Sequence, residues 1–268
     1  MKAALIQLNT AWESKKANFE RADFFVKKAA EEECTVIVFP EMFSTGFSMN
    51  IHTVAEEGYG ETASLLAGLA KKNNINIIAG FPIKAPGAEK ARNMAAVFNR
   101  RGLPHATYTK IHPFSYAGED KYYIAGTDTV VFDIDGMPSS VFICYDLRFP
   151  EVFRKVAGEA HAIFVIANWP SERKEHWETL LKARAIENEC FIIGVNRTGT
   201  DGNGIHYPGA SCVIGPAGNV ICSGNETDEF TTCEFDPDEV DRIRSQFPFL
   251  DDMKYPEAAL KEHNGPAD

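Results

Sequence analysis

The 268-residue chain lacks a basic excess: 27 Lys and Arg stand against 38 Asp and Glu, a formal net charge of −11. That excludes a general nucleic-acid binder, which would carry a basic stripe, and argues against docking on an anionic membrane. An acidic protein can still hold a carboxylate substrate through one or two local arginines. The six cysteines (Cys34, Cys144, Cys190, Cys212, Cys222 and Cys233) form no CxxC pair and no zinc-like spacing. Most lie in apolar runs, where free cysteine acts as a small hydrophobe. No apolar run approaches the ~20 residues that a bilayer span requires. Met1-Lys2-Ala3-Ala4-Leu5-Ile6 lacks the charged-then-apolar layout of a signal peptide. The expectation is a reduced, cytoplasmic enzyme needing neither metal nor organic cofactor.

No low-complexity linker and no internal repeat divides the sequence, so residues 1–268 are expected to form a single domain with a tail from about 247. Hydrophobic residues make up 44%, ordinary for one globular core. Short β-branched runs alternate with amphipathic stretches, which predicts an α/β fold. Strands are expected over 3–8, 35–39, 75–79, 162–167 and 191–196. Helices are expected over 14–33 (with Ala22, Phe25, Val26 and Ala29 on one face), 62–72 and 173–188. Hairpins are expected at Arg100-Arg101-Gly102, Asp135-Gly136 and Pro216-Ala217-Gly218. The strand 230–235 is expected to close the sheet. Mixing hairpins with crossovers predicts mixed rather than parallel sheets.

Three polar residues end three of these strands. Cys144 follows Val141-Phe142-Ile143, and Tyr145-Asp146-Leu147-Arg148-Phe149-Pro150 then turns the chain into a helix. A thiol at such a turn is expected to feel the helix dipole and favour thiolate, with the next backbone N–H able to hold an oxyanion. Glu41, in Phe39-Pro40-Glu41-Met42-Phe43, is expected to be desolvated and so to gain proton affinity, as a general base requires. Lys110 could stabilise an oxyanion if it faces the other two. Taken singly, each has a bland reading: a packing cysteine, a capping glutamate, a surface lysine.

Together, Phe39-Pro40-Glu41-Met42-Phe43, Lys110-Ile111-His112-Pro113-Phe114 and Cys144-Tyr145-Asp146-Leu147-Arg148-Phe149-Pro150-Glu151 resemble the three signature blocks of the nitrilase (carbon–nitrogen hydrolase) superfamily, over nearly the whole chain from Ala3 to about Phe235. The resemblance implies a four-layer α-β-β-α sandwich, Glu41 as general base, Lys110 as oxyanion stabiliser, Cys144 as nucleophile and a dimeric assembly. Glu119 matches a second family glutamate that would orient Lys110 and the substrate water. The Tyr145 backbone N–H would complete the oxyanion site. Asn168-Trp169-Pro170-Ser171-Glu172-Arg173, Ala183-Arg184-Ala185-Ile186-Glu187-Asn188 and Asn196-Arg197-Thr198-Gly199 resemble the ω-amidase branch, which implies hydrolysis of the terminal amide of 2-oxoglutaramate or 2-oxosuccinamate.

Such substrates carry a carboxylate, and Arg173 is the candidate cation, with a helix-start surface residue as the equal alternative. Phe43, Phe114 and Trp169 are candidate pocket walls, or plain core. Arg184 shares an apolar stripe with Trp177 and Leu181 and is read as structural, at a dimer contact on one reading. Arg148 is read as holding the loop after Cys144. His206 and Tyr207, in a glycine-rich stretch, are read as a turn that could cover the site. Other superfamily activities (nitrilase, N-carbamoyl amidohydrolase, aliphatic amidase), a catalytically silent binding protein and a thiol redox protein remain the alternatives.

Overall fold

A computed structural model describes residues 1–254. Two mixed six-strand paths dominate. The first runs Phe230–Glu234, Lys2–Ile6, Val36–Val38, Asn76–Lys84, Arg92–Phe98, Pro104–Thr109. The second runs Val220–Ser223, Cys212–Ile214, Phe191–Asn196, Ala162–Ala167, Met137–Ile143, Val131–Ile134. In each sheet the central neighbours pair in parallel and the flanking hairpins pair antiparallel. Mixed sheets were the expectation, and the α/β fold with its two mixed sheets stands.

Alternation along the strands sorts side chains between two layers of core. Ala4 and Ile6 join Ile37, Ile77 and Ala79 beneath the helices Lys15–Glu31 and Glu61–Asn73, where Phe25, Val26, Leu66 and Leu69 meet them. Ala3 and Leu5 face the other way, with Val36, Val38, Ile78 and Val97, against Val141, Phe164 and Ile193 of the second sheet. The helices Pro150–Arg154 and Lys174–Asn188 cover that sheet's far side through Phe153, Trp177, Leu181 and Ala185. The layers are therefore helix, sheet, sheet, helix.

Local signals act as the sequence predicts. Ile134 pairs with Met137 across Asp135-Gly136, and both turn residues have positive φ, 51° and 92°, as a type I′ hairpin demands. Asn18, Ala22, Phe25, Val26 and Ala29 are the buried face of the first long helix. The strand 230–234 sits at one edge of its sheet, paired with the first strand. Within the expected tail, Phe249–Asp252 form a 3-10 turn. The remainder of that expected tail, 255–268, lies outside the described residues. Arg184 is only 4% exposed and donates to Leu147 O (2.7 Å) and Glu187 Oε1 (3.0 Å). Its guanidinium is paired within the chain, in keeping with a structural role. None of the helices among the described residues is long and apolar enough to cross a membrane.

Candidate active site

Glu41, Lys110 and Cys144 each lie just past the carboxyl end of a strand, the first two in one sheet and the third in the other. They meet where the two sheets face each other. The chain turns sharply at two of these points: Cys144 has φ 47° and Met42, beside Glu41, φ 46°. Left-handed backbone at a residue with a Cβ stores strain that the surrounding packing must hold. Gly80 makes the Glu41 turn possible. A Cβ there would lie 2.8 Å from Glu41 Cα and 2.8 Å from Ile166 Cδ1.

Lys110 is the centre of the polar cluster. Its Nζ donates to Glu41 Oε1 at 2.8 Å and to Glu119 Oε2 at 2.9 Å, and all three side chains are essentially fully buried. Glu119 also accepts from the Phe114 N–H at 2.5 Å. Asn93 Nδ2 bridges the two carboxylates, at 2.7 Å from Glu41 Oε1 and 2.8 Å from Glu119 Oε1. On the other side of Glu41, Oε2 accepts from the Asn168 N–H at 2.9 Å, while Asn168 Nδ2 donates to the Glu41 carbonyl at 2.7 Å. The Cys144 Sγ lies 3.7 Å from the Asn168 carbonyl, within reach of a thiol hydrogen bond.

These contacts set the charges. Burial pushes Glu41 up, but the Lys110 charge and the hydrogen bonds from Lys110, Asn168 and Asn93 outweigh it and hold this carboxyl below its ordinary range. At Glu119, burial and the Glu41 charge prevail over Lys110, and its carboxyl is raised. Burial would discharge Lys110, yet Glu119 and Glu41 keep it firmly protonated. Burial, then the Glu41 charge, push the Cys144 thiol well above its ordinary range against the pull of Lys110.

Two expectations are thereby corrected. The Cys144 thiol holds its proton, because burial, then the Glu41 charge, outweigh the small dipoles of the five-residue 3-10 turn that begins at Cys144 and of the five-residue helix after it. Glu41 loses rather than gains proton affinity, because a cation and three N–H donors surround it.

Asp146 ties the nucleophile turn to the lysine loop. This buried carboxylate accepts from Tyr108 OH (2.8 Å), His112 N (2.9 Å), His112 Nδ1 (2.8 Å) and Ile143 N (3.1 Å). The His112 ring stacks on Phe149, centroids 3.8 Å apart.

A cavity of about 420 Å³ opens beside this cluster, with Lys110, Cys144, Tyr145 and Asn168 in its lining. Phe114 and Trp169 line it as expected, and Arg173 does too, its guanidinium 5.8 Å from the Phe114 ring centroid. Trp169 is locked by its Nε1–H to Arg173 O at 2.7 Å and by Asn196 Oδ1 on its N–H at 2.7 Å. Phe43 is not a wall. Its N–H bonds Gly80 O at 2.9 Å, and its ring packs on Phe39 in the helix-covered core.

Arg148 was expected to hold the loop and instead lines the cavity, stacked 4.8 Å from the Trp169 ring and 3.3 Å from His176 Nδ1. The glycine-rich stretch is a small hairpin, Thr198–Thr200 with His206–Pro208. Tyr207 lines the cavity, with Asp201, Asn203 and Ile205. His206 is exposed and pairs with Glu226.

Sequence reasoning missed Asn93, Asp146 and Asn168 as site residues. Asp146 and Asn168 lie inside blocks already singled out. Asn93 had no signal, being a polar residue near the start of a largely apolar strand.

The profile of the carbon–nitrogen hydrolase family matches residues 2–245. The chain belongs to that family, within the nitrilase superfamily, and is an enzyme acting on carbon–nitrogen bonds. Among its relatives, the 2-oxoglutaramate amidase of Bacillus subtilis (strain 168) is 33% identical over 251 residues, 93% of this chain and 96% of that protein. The omega-amidase YafV of Escherichia coli (strain K12) is 34% identical over 225 residues, 84% of this chain and 85% of that protein. The solved CN-hydrolase superfamily protein XC1258 of Xanthomonas campestris, which bears an arsenic adduct in its active site, superposes with a TM-score of 0.90. Its identity is 29%, over 95% of this chain and 97% of that one.

Proposed function

We propose that the protein is a thiol ω-amidase that releases ammonia from the terminal amide of a small 2-oxo acid such as 2-oxoglutaramate or 2-oxosuccinamate. The observation that carries the chemistry is the Glu41–Lys110–Glu119 cluster, whose Lys110 lines one cavity together with Cys144. In the first step Cys144 Sγ attacks the amide carbon while its proton passes to Glu41, the carboxylate held in its ionised form by the cluster. Lys110 and the Tyr145 N–H, in the first turn of the 3-10 segment where amides lack intrahelical partners, hold the oxyanion. Glu41 returns the proton to the leaving nitrogen, the C–N bond breaks and ammonia departs. Water then attacks the thioester, giving one proton to Glu41, which passes it to the Cys144 sulfur as the C–S bond breaks, and the carboxylic acid and the free thiol are released. Glu119 orients Lys110 and the water.

Arg173 pairs with the substrate carboxylate, and Phe114 and Trp169 flank the short carbon chain. The names of the two amidase relatives support this substrate class. Six free cysteines support a reducing, cytoplasmic setting, and residues 1–268 are read as a single domain with a tail from about 247, assembling as a homodimer or higher homo-oligomer. Ammonia release from 2-oxoglutaramate, beside a Cys144→Ala control, tests the reading. Release lost in the variant supports it. No release from any ω-amido 2-oxo acid, with aliphatic amides, N-carbamoyl acids or nitriles turned over instead, overturns the substrate assignment.

A further inference from the structure

Two carboxylates and one ammonium leave the buried cluster with one excess negative charge, in a place where water cannot screen it. Like charges so close favour protonating one of them. Which carboxylate keeps the proton decides whether Glu41 can act as a base.

The Asn93 side chain touches both. It is 1% exposed, on the strand Arg92–Phe98. Its single Nδ2 gives one hydrogen to Glu41 Oε1 and the other to Glu119 Oε1, at 2.7 and 2.8 Å. Its own carbonyl oxygen accepts from the Lys110 N–H at 2.9 Å. One residue therefore grips both acids by its side chain and the lysine by its backbone. The amide orientation follows from charge: a flipped Asn93 would aim its oxygen at two acceptors. The cost is visible, because Asn93 Oδ1 is buried with no partner. A group that leaves one acceptor unpaired to present both donors is placed for those donors.

We propose that Asn93 is a positioning residue that clamps Glu41 and Glu119 against Lys110 and keeps Glu41 the proton-accepting carboxylate. The proposal rests on the reading of Glu41 as the base. Its hydrogen bonds stabilise the charged form of each acid, opposing burial. The other titratable groups around the cluster are Lys110, the Cys144 thiol, Tyr123, whose hydroxyl donates to Ser48 O at 2.6 Å, and Glu13 further out. Lys110 and Cys144 approach from the lysine loop and the nucleophile turn, and none of the four replaces an amide that reaches both carboxylates.

The test is the pH profile of kcat/KM for ammonia release in the full chain, for the wild type, Asn93→Leu and Asn93→Ser. Asn93→Leu keeps the branched heavy-atom shape and removes both donors. Asn93→Ser keeps one donor and provides a second variant should leucine unfold the protein. With Asn93→Leu the acid limb is expected to move to higher pH by about one unit, a tenfold loss at a fixed pH on that limb, and with Asn93→Ser by less. A uniform loss at every pH with an unmoved limb would make Asn93 merely structural and overturn the inference. Glu41→Gln separates the two readings. If it is inactive, an unmoved limb sinks only the Asn93 role. If it stays active, the base assignment falls, and the Asn93 inference falls with it.

Discussion

Lys110 and Arg173 are both cations on one cavity, held in opposite ways. Lys110 is 1% exposed and bonded to two buried carboxylates at 2.8 and 2.9 Å. Arg173 has a 29% exposed side chain, and its ion pair is a 3.9 Å contact with Glu172, itself 89% exposed. A cation with two of its three donors committed inside a low-dielectric cluster cannot shift far to suit a ligand, but it can hold a fixed field, and its third donor, at a reacting atom. A cation with a weak, solvated partner contributes little to stability and is free to change partners when a carboxylate enters. On the proposed reading, the floor of the site serves chemistry and the rim serves recognition.

That contrast predicts a graded series of losses. Cys144→Ala, at the floor, should lower kcat by a factor on the order of 10⁴ or more with the fold intact, measured by ammonia release and circular dichroism. Lys110→Met should abolish turnover and also destabilise the protein by about 3–5 kcal/mol, since it leaves two buried carboxylates without their cation; urea denaturation reads this. Gly80→Ala should push back the Glu41 backbone and lower kcat by roughly tenfold or more, with KM little changed. At the rim, Arg173→Ala should raise KM for 2-oxoglutaramate by about 10- to 100-fold while leaving kcat within a few-fold. An equal fall of kcat would break the division between floor and rim. The smallest effect on catalysis is expected from Phe43→Ala, whose cost of about 3–5 kcal/mol should appear in stability alone.

The pH behaviour of the thiol follows the same logic. A raised Cys144 holds its proton at neutral pH, so iodoacetamide should label it slowly there and faster as pH climbs beyond the ordinary cysteine range. Labelling that is already fast and pH-independent at neutrality would mean that Lys110 outweighs burial and the Glu41 charge.

Much of this frame was legible in the chain. Strand alternation, the Asp135-Gly136 turn and the apolar face of Lys15–Glu31 are local signals, and the local structure obeys them. Glu41, Lys110 and Cys144 were marked by standing at strand ends, inside blocks that resemble a family. What escaped was set by partners distant in sequence. The Glu41 carboxyl is held low by Lys110, 69 residues on, and by Asn168, 127 residues on. No reading of Phe39 to Phe43 alone contains those contacts, so local apolarity gave the wrong direction. Phe43 and Arg148 were misplaced for a related reason. Which way a side chain faces after a left-handed turn depends on packing across the sheets, not on its neighbours in sequence.

The central claim is that Cys144 forms an acyl-enzyme with the substrate's own acid. Acid-quenched protein, mixed with 2-oxoglutaramate for milliseconds and read by intact-mass and peptide-mapping spectrometry, tests it directly. The account predicts a transient thioester on the peptide containing Cys144, absent in Cys144→Ala. An adduct on any other residue, or full turnover in the alanine variant, would contradict it.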